Sequence, residues 1–202
     1  MKEKDYLKDL NEIKRIMHQS TRFVSLSGIT GVLVGIYALI GAFLARQSII
    51  NHFNNQSNDI DSLILTLLVI ALSVALISVI TAYILTKRKA KSNNQSLWNA
   101  TVKRLLFHFM VPLLAGGILS LELLQMGFYG LVAPITLIFY GIALVNASNF
   151  TFSNIKYLGL AEIVLGLIAI NYIGYGLYFW AIGFGIFHII YGTFMYFNER
   201  KS

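Results

Sequence analysis

The sequence predicts an all-α, polytopic membrane protein: six transmembrane helices arranged as three hairpins, preceded by an amphipathic N-terminal helix. Three observations carry this. The 202 residues are 56% hydrophobic and 12% charged, where a soluble domain carries about 25% charged residues. The apolar residues fall in runs long enough to cross a bilayer. Fifteen of the sixteen Lys and Arg residues lie on one side of those runs.

A hydrocarbon core about 30 Å thick needs about 20 mostly apolar helical residues. The first two spans, residues 23–45 and 63–85, contain no charge at all. The third, 105–124, holds His108 and Glu122, and after a break at Gln125-Met126-Gly127 the fourth covers 128–145. The last two, 157–171 and 175–197, form a hairpin turned by Asn171 to Gly174. The fifth is the shortest and carries Glu162. Together, residues 23–197 make the transmembrane domain, and 198–202 form a short cytoplasmic tail. The stretches from Gln47 to Asp61 and from Lys87 to Lys103 read as polar loops.

Residues 1–22 differ in character. Tyr6, Leu10, Ile13 and Met17 recur at spacings of four, three and four, a helical stripe on a segment of mixed charge. A helix made for the membrane surface favours one sign of charge. Docking of this stripe onto a protein partner is therefore expected as readily as lying on lipid. No cleavable signal is evident, because the first apolar run is too long for a signal-peptide core.

Basic residues accumulate in cytoplasmic loops. The N-terminal segment, the loop from Lys87 to Arg104, Lys156 and the C-terminus hold all of them except Arg46, which predicts both termini in the cytoplasm. The same bias explains the net charge of +7. Nucleic acid is not an expected partner: no stacking aromatics interleave with the basic runs. The lipid bilayer is the expected surrounding, and the run from Lys87 to Lys91 can attract anionic headgroups.

Between helices in lipid, small residues permit the close packing that holds a bundle. Ser27, Gly31 and Gly35 line helix one, Gly159 and Gly166 helix five, and Gly185 and Gly192 helix six. Two ionisable residues fall on these seams: Glu162 between Gly159 and Gly166, and His188 between Gly185 and Gly192. A charge at the bilayer centre costs at least about 2.5 kcal/mol, so such residues are paired or functional. Two readings follow: a proton-responsive pair, or a neutral carboxyl whose hydrogen bond fixes helix register. The segment from Gly31 to Ile40 also echoes Glu162 to Ile170, and Leu137 to Gly141 echoes His188 to Gly192. Apolar helices with glycine resemble one another by composition, which is the readier account of the echo.

Several chemistries are set aside. Cysteine is absent, which removes thiolate ligands and nucleophiles. No phosphate-binding loop, zinc-protease or serine-hydrolase motif occurs, so no enzyme, cofactor or metal is expected. The segment Ser20-Thr21-Arg22-Phe23-Val24-Ser25-Leu26-Ser27-Gly28-Ile29-Thr30-Gly31 resembles the entrance to helix one in a family of small bacterial six-span membrane proteins of unknown activity. Gly159 to Ile170 and Gly183 to Gly192 resemble, more faintly, the glycine-rich spans of the HdeD-like acid-resistance membrane proteins. These resemblances imply a bacterial cytoplasmic (inner) membrane location and, for the second, a role in acid response. The long charged N-terminus departs from that second pattern. The function expected is a non-enzymatic module that binds a cytoplasmic or membrane protein partner or senses conditions. The alternative is a small-solute or proton-coupled transporter or channel, built as a homo-oligomer.

Overall fold

The computed structural model describes residues 27–54, 59–92, 98–151 and 154–201. Among them there is no β-strand. Helix α1 is Gly28–Asn54, α2 Ile60–Ser92, α3 Ala100–Gln125, and α4 Tyr129–Ala147, followed by a 3₁₀ turn Ser148–Phe150. Helix α5 is Ile155–Ala169. The last helix, α6, starts as Gly176–Trp180, widens into the π-helical segment Ala181–Phe187, and continues as His188–Lys201.

Five helices are long and apolar enough to cross a membrane: α1, α2, α3, α4 with its 3₁₀ extension, and α6. This is a membrane protein with several spans. Helix α5, at 15 residues, falls short of the about 20 that a bilayer requires. The amphipathic segment 1–22, with Tyr6, Leu10, Ile13 and Met17, lies outside the described residues.

Helix ends depart from the expected bounds. Polar stretches read as loops are helical: α1 continues nine residues past Ala45, to Asn54, and α2 runs on through Lys87–Lys91 to Ser92. The reason is local. Neither stretch contains Gly or Pro, Ser48 Oγ donates to Leu44 O at 3.1 Å, and Lys, Arg and Ala are strong helix formers. The basic residues also suit the negative end of the α2 dipole. The 198–202 tail is likewise part of α6 as far as Lys201. Real breaks coincide with specific chemistry. Asp59 and Asn99 cap α2 and α3 by accepting from the Ser62 and Val102 N–H groups at 3.1 and 2.8 Å. Gly127 and Gly174, at φ +81° and +98°, turn α3 into α4 and α5 into α6, conformations that L side chains rarely adopt.

Helix α1 packs against α2 and α6, while α4 packs against α3 and α5; the start of α6 also touches α4. Two glycine seams, α1 with α6 and α5 with α4, share most of their contact atoms. A Cβ on Gly35 would sit 2.5 Å from Gly185 O, 2.7 Å from Ile189 Cγ1 and 3.0 Å from Ile189 N. On Gly166 it would sit 2.9 Å from Pro134 O, 2.7 Å from Ile138 Cγ1 and 3.1 Å from Ile138 N. Gly192 meets Val32 N at 2.5 Å and Gly28 O at 2.7 Å, while Gly141 meets Ile163 N at 2.9 Å and Gly159 O at 2.5 Å. The pairings equate Gly28 with Gly159, Gly35 with Gly166, Gly185 with Pro134 and Gly192 with Gly141. This is the register of the echo in the sequence. Composition alone does not reproduce a shared set of contact atoms, so the echo reflects a duplicated packing unit.

Candidate functional site

The two seams meet at a buried polar cluster. Glu162 comes from the middle of α5 and is 0% exposed; His188, the first α-helical residue after the π segment, is 4% exposed. Their side chains approach to 3.6 Å between His188 Nδ1 and Glu162 Oε1, an ion-pair separation beyond hydrogen-bond length. Counting residues from the turn Asn171 to Gly174 sets His188 one to two turns farther from it than Glu162. The wider π turns of α6 account for part of that offset.

Tyr140 of α4 is the third member, which sequence reading did not single out. Its hydroxyl lies 2.8 Å from His188 Nε2. The other ring nitrogen, Nδ1, lies 3.1 Å from Gly183 O in the π segment. A carbonyl oxygen only accepts, so Nδ1 carries a hydrogen and donates to Gly183 O. In the neutral imidazole Nε2 is then the acceptor, and the Tyr140 O–H donates to it. Phe184 stacks nearly parallel to His188, at 6.2 Å and 19°, and touches Tyr140 at 4.9 Å. Trp180 lies 4.9 Å from Phe184.

Glu162 differs from its neighbours in being unsatisfied. Neither carboxyl oxygen has a hydrogen-bond partner among the described residues. Gly183 makes room for it: a Cβ there would collide with Glu162 Oε2 and lie 2.5 Å from Leu137 Cδ2. Leu137, itself 0% exposed, closes the remaining side. A groove of about 340 Å³, lined by Leu160, Ala161, Val164, Leu165, Ile168 and Phe187, opens on the outer face of α5 and α6. Its lining is apolar, and it runs beside the sequence neighbours of Glu162 and His188.

The duplicated seam shows what is specific here. Where α5 carries Glu162, α1 carries Gly31, whose Cβ would meet Gly192 Cα at 2.9 Å. Where α6 carries His188, α4 carries Leu137. Tyr140 has Tyr191 as its counterpart, and both pack on the core of Leu144, Ile155 and Leu158. Of the expected packing residues, Gly31, Gly35, Gly185 and Gly192 sit in the α1–α6 seam, and Gly159 and Gly166 in the α4–α5 seam. Ser27 precedes α1 and accepts from the Thr30 N–H at 2.9 Å; Gly28 takes the seam position instead, against the Tyr196 and Gly192 backbones. Elsewhere, His108 is exposed and stacks on Phe150 at 4.9 Å, and Glu122 is exposed on α3. No family model matches the chain, and no curated protein or solved structure is significantly similar to it.

Proposed function

We propose that this chain is a non-enzymatic, six-span module of the cytoplasmic membrane that senses protons and passes the signal to a protein partner. In this reading both termini are cytoplasmic and α5 completes the sixth span as part of the α5–α6 hairpin. The protonatable element is Glu162 with His188, positioned by Tyr140. The segment 1–22, through Tyr6, Leu10, Ile13 and Met17, and the basic end of α2 form the partner-facing side. A role in acid response, implied by the resemblance to acid-resistance membrane proteins, belongs to the same proposal.

One observation carries it: an equivalent glycine seam closes between α1 and α6 with glycine at the position of Glu162. Packing therefore does not require the carboxyl. A carboxyl serving as glue would also hold a hydrogen bond, and Glu162 holds none among the described residues. A fully buried carboxyl beside an imidazole is instead a group whose charge state changes its surroundings strongly. The titratable groups near it are His188 on α6 and Tyr140 on α4, with Tyr191 of α6 beside Tyr140.

The test is tryptophan emission of the purified protein in lipid nanodiscs between pH 5 and 8. A sensor gives a pH-dependent change that Glu162→Gln removes, with no proton flux into liposomes. An unchanged pH response in Glu162→Gln would sink the reading. Flux that depends on Glu162 would establish the second reading, a proton-coupled transporter. That alternative is favoured by the position of the cluster between two repeated units, where repeat-built transporters hold their coupling ions.

A further inference from the structure

The π segment of α6 ends one residue before His188, which faces Glu162, and this placement gives the buried pair a mechanical output. π-Helical turns are rare inserts of one extra residue, and they concentrate at functional positions. Here the wide turn sets Gly183 O within reach of the His188 ring, five residues on, so that Nδ1–H donates to it at 3.1 Å. A second acceptor, Glu162 Oε1, stands 3.6 Å from the same nitrogen. One hydrogen thus has two acceptors: the first belongs to the backbone of α6, the second to another helix.

We propose that the Ala181–Phe187 segment is a register switch, thrown when His188 Nδ1–H transfers its hydrogen bond from Gly183 O to Glu162. The inference rests on the reading of Glu162 and His188 as a proton-responsive pair. When Glu162 is ionised and His188 takes up a proton on Nε2, whose N–H then donates to the Tyr140 hydroxyl oxygen, the ion pair draws Nδ1–H onto the carboxylate. Gly183 O is released and can accept from a backbone amide of an ordinary α-turn. Rewinding removes the extra residue, which turns the start of α6 by about 100° and advances it about 1.5 Å relative to His188–Lys201. Tyr178 and Trp180 ride on the part that turns.

The move has a built-in consequence at Glu162. The space opposite its carboxyl is open because residue 183 is glycine; a Cβ there would collide with Oε2 and with Leu137 Cδ2. Advancing the start of α6 by one residue away from His188 presents Phe184 there. Helices α5 and α6 must then separate at this level, on the side where the groove beside Ala161 and Phe187 already opens. Below the segment the α1–α6 seam stays closed at Gly31 and Gly192, and the α4–α5 seam at Gly166 and Ile138; Gly35, whose Cβ would sit 2.5 Å from Gly185 O inside the segment, must let the α6 backbone shift there. The titratable groups facing the switch are Glu162 from α5, Tyr140 from α4, and His188 and Tyr191 from α6.

The chain contains no cysteine, so the test needs only two introduced ones. Spin labels on Tyr129→Cys at the start of α4 and Tyr178→Cys on the turning part of α6 would report their separation in nanodiscs by pulsed electron resonance. Both positions are exposed, at 47% and 54%. Across the pH range in which the tryptophan emission changes, the separation should shift by several ångströms, up to the chord of about 8 Å for a 100° turn on a helix about 10 Å across. Glu162→Gln and His188→Gln should each hold one separation at every pH. A constant separation in a protein whose emission still responds through Glu162 overturns the switch and leaves the sensor intact. A protein with neither response overturns both. If Glu162→Gln fails to fold, Tyr140→Phe with His188→Gln supplies the comparison.

Discussion

The α1–α6 and α4–α5 seams are built from one contact pattern and differ in what lies behind it. In the first, Gly31 lets the α6 backbone approach, and a Cβ on it would sit 2.9 Å from Gly192 Cα. In the second, Glu162 occupies the equivalent place and sends a carboxyl out of the seam towards α6, where Gly183 and Leu137 enclose it. The shared part is structural, since lipid offers no hydrophobic drive and van der Waals contact at small residues must hold the helices together. The unshared part is the functional candidate. A duplicated unit thus supplies an internal control that a lone buried carboxyl lacks.

The largest effects should come from the shared part and be equal in both seams. Gly35→Val and Gly166→Val each place carbon where a carbonyl oxygen and a backbone nitrogen already lie, at 2.5 to 3.1 Å. Backbone cannot step aside as a side-chain tip can. Overpacking costs about 1–3 kcal/mol and more when relief is blocked, so both variants should lose most folded protein in detergent, measured by thermal unfolding on a sizing column. A variant tolerated in one seam but not in the other would break the equivalence of the two units.

The next effect isolates the carboxyl. Gly183→Ala meets the end of the Glu162 side chain and Leu137 Cδ2, not backbone. It should destabilise wild type, and Glu162→Ala should absorb much of that loss. In a double-mutant cycle, residues in contact couple by about 0.5–3 kcal/mol. Additive losses would mean that Gly183 does not face Glu162 as described.

How much of this was legible in the sequence depends on which physical rule governs each part. The spans were readable from apolar runs because lipid enforces length and composition. Their ends were not, because helix formation at Asn51–Asn54 and Lys87–Ser92 follows propensity and the lack of a breaker, and polarity says nothing about it. Glu162 and His188 stood out as ionisable residues within apolar runs, flanked by glycine at helical spacing. Tyr140 did not, since a tyrosine in a span is unremarkable until a histidine on another helix is found 2.8 Å away. The π segment was hidden as well. It leaves the composition of α6 unchanged, and only the backbone path reveals the extra residue.

A smaller effect is expected at Tyr140→Phe. The change removes the hydroxyl bonded to His188 Nε2 while keeping the ring contacts with Phe109 and Phe184. A net hydrogen bond is worth about 0.5–1.5 kcal/mol, and in membrane bundles nearer 0.6. Stability should fall by about that much, and the midpoint of the pH response should move, because His188 loses a partner. Tyr191→Phe, at the equivalent position in the other unit, should leave that midpoint in place. A shift of equal size from both would remove the distinction between the two units at this position.

The smallest effect should come from two adjacent glycines on α3. Gly116 is buried against Phe139, where a Cβ would collide with the ring and its own Cβ, while a Cβ on Gly117 would meet nothing within 4 Å. Gly116→Ala should therefore destabilise, whereas Gly117→Ala should be neutral or stabilising by up to about 1 kcal/mol, the helix-propensity gain over glycine. The neighbours share sequence environment, depth and helix, so the pair separates packing from composition, as the two seams do. Unfolding midpoints of both variants, measured side by side, decide it. Destabilisation by Gly117→Ala of the same size as by Gly116→Ala would mean that this face of α3 is covered in the assembled protein.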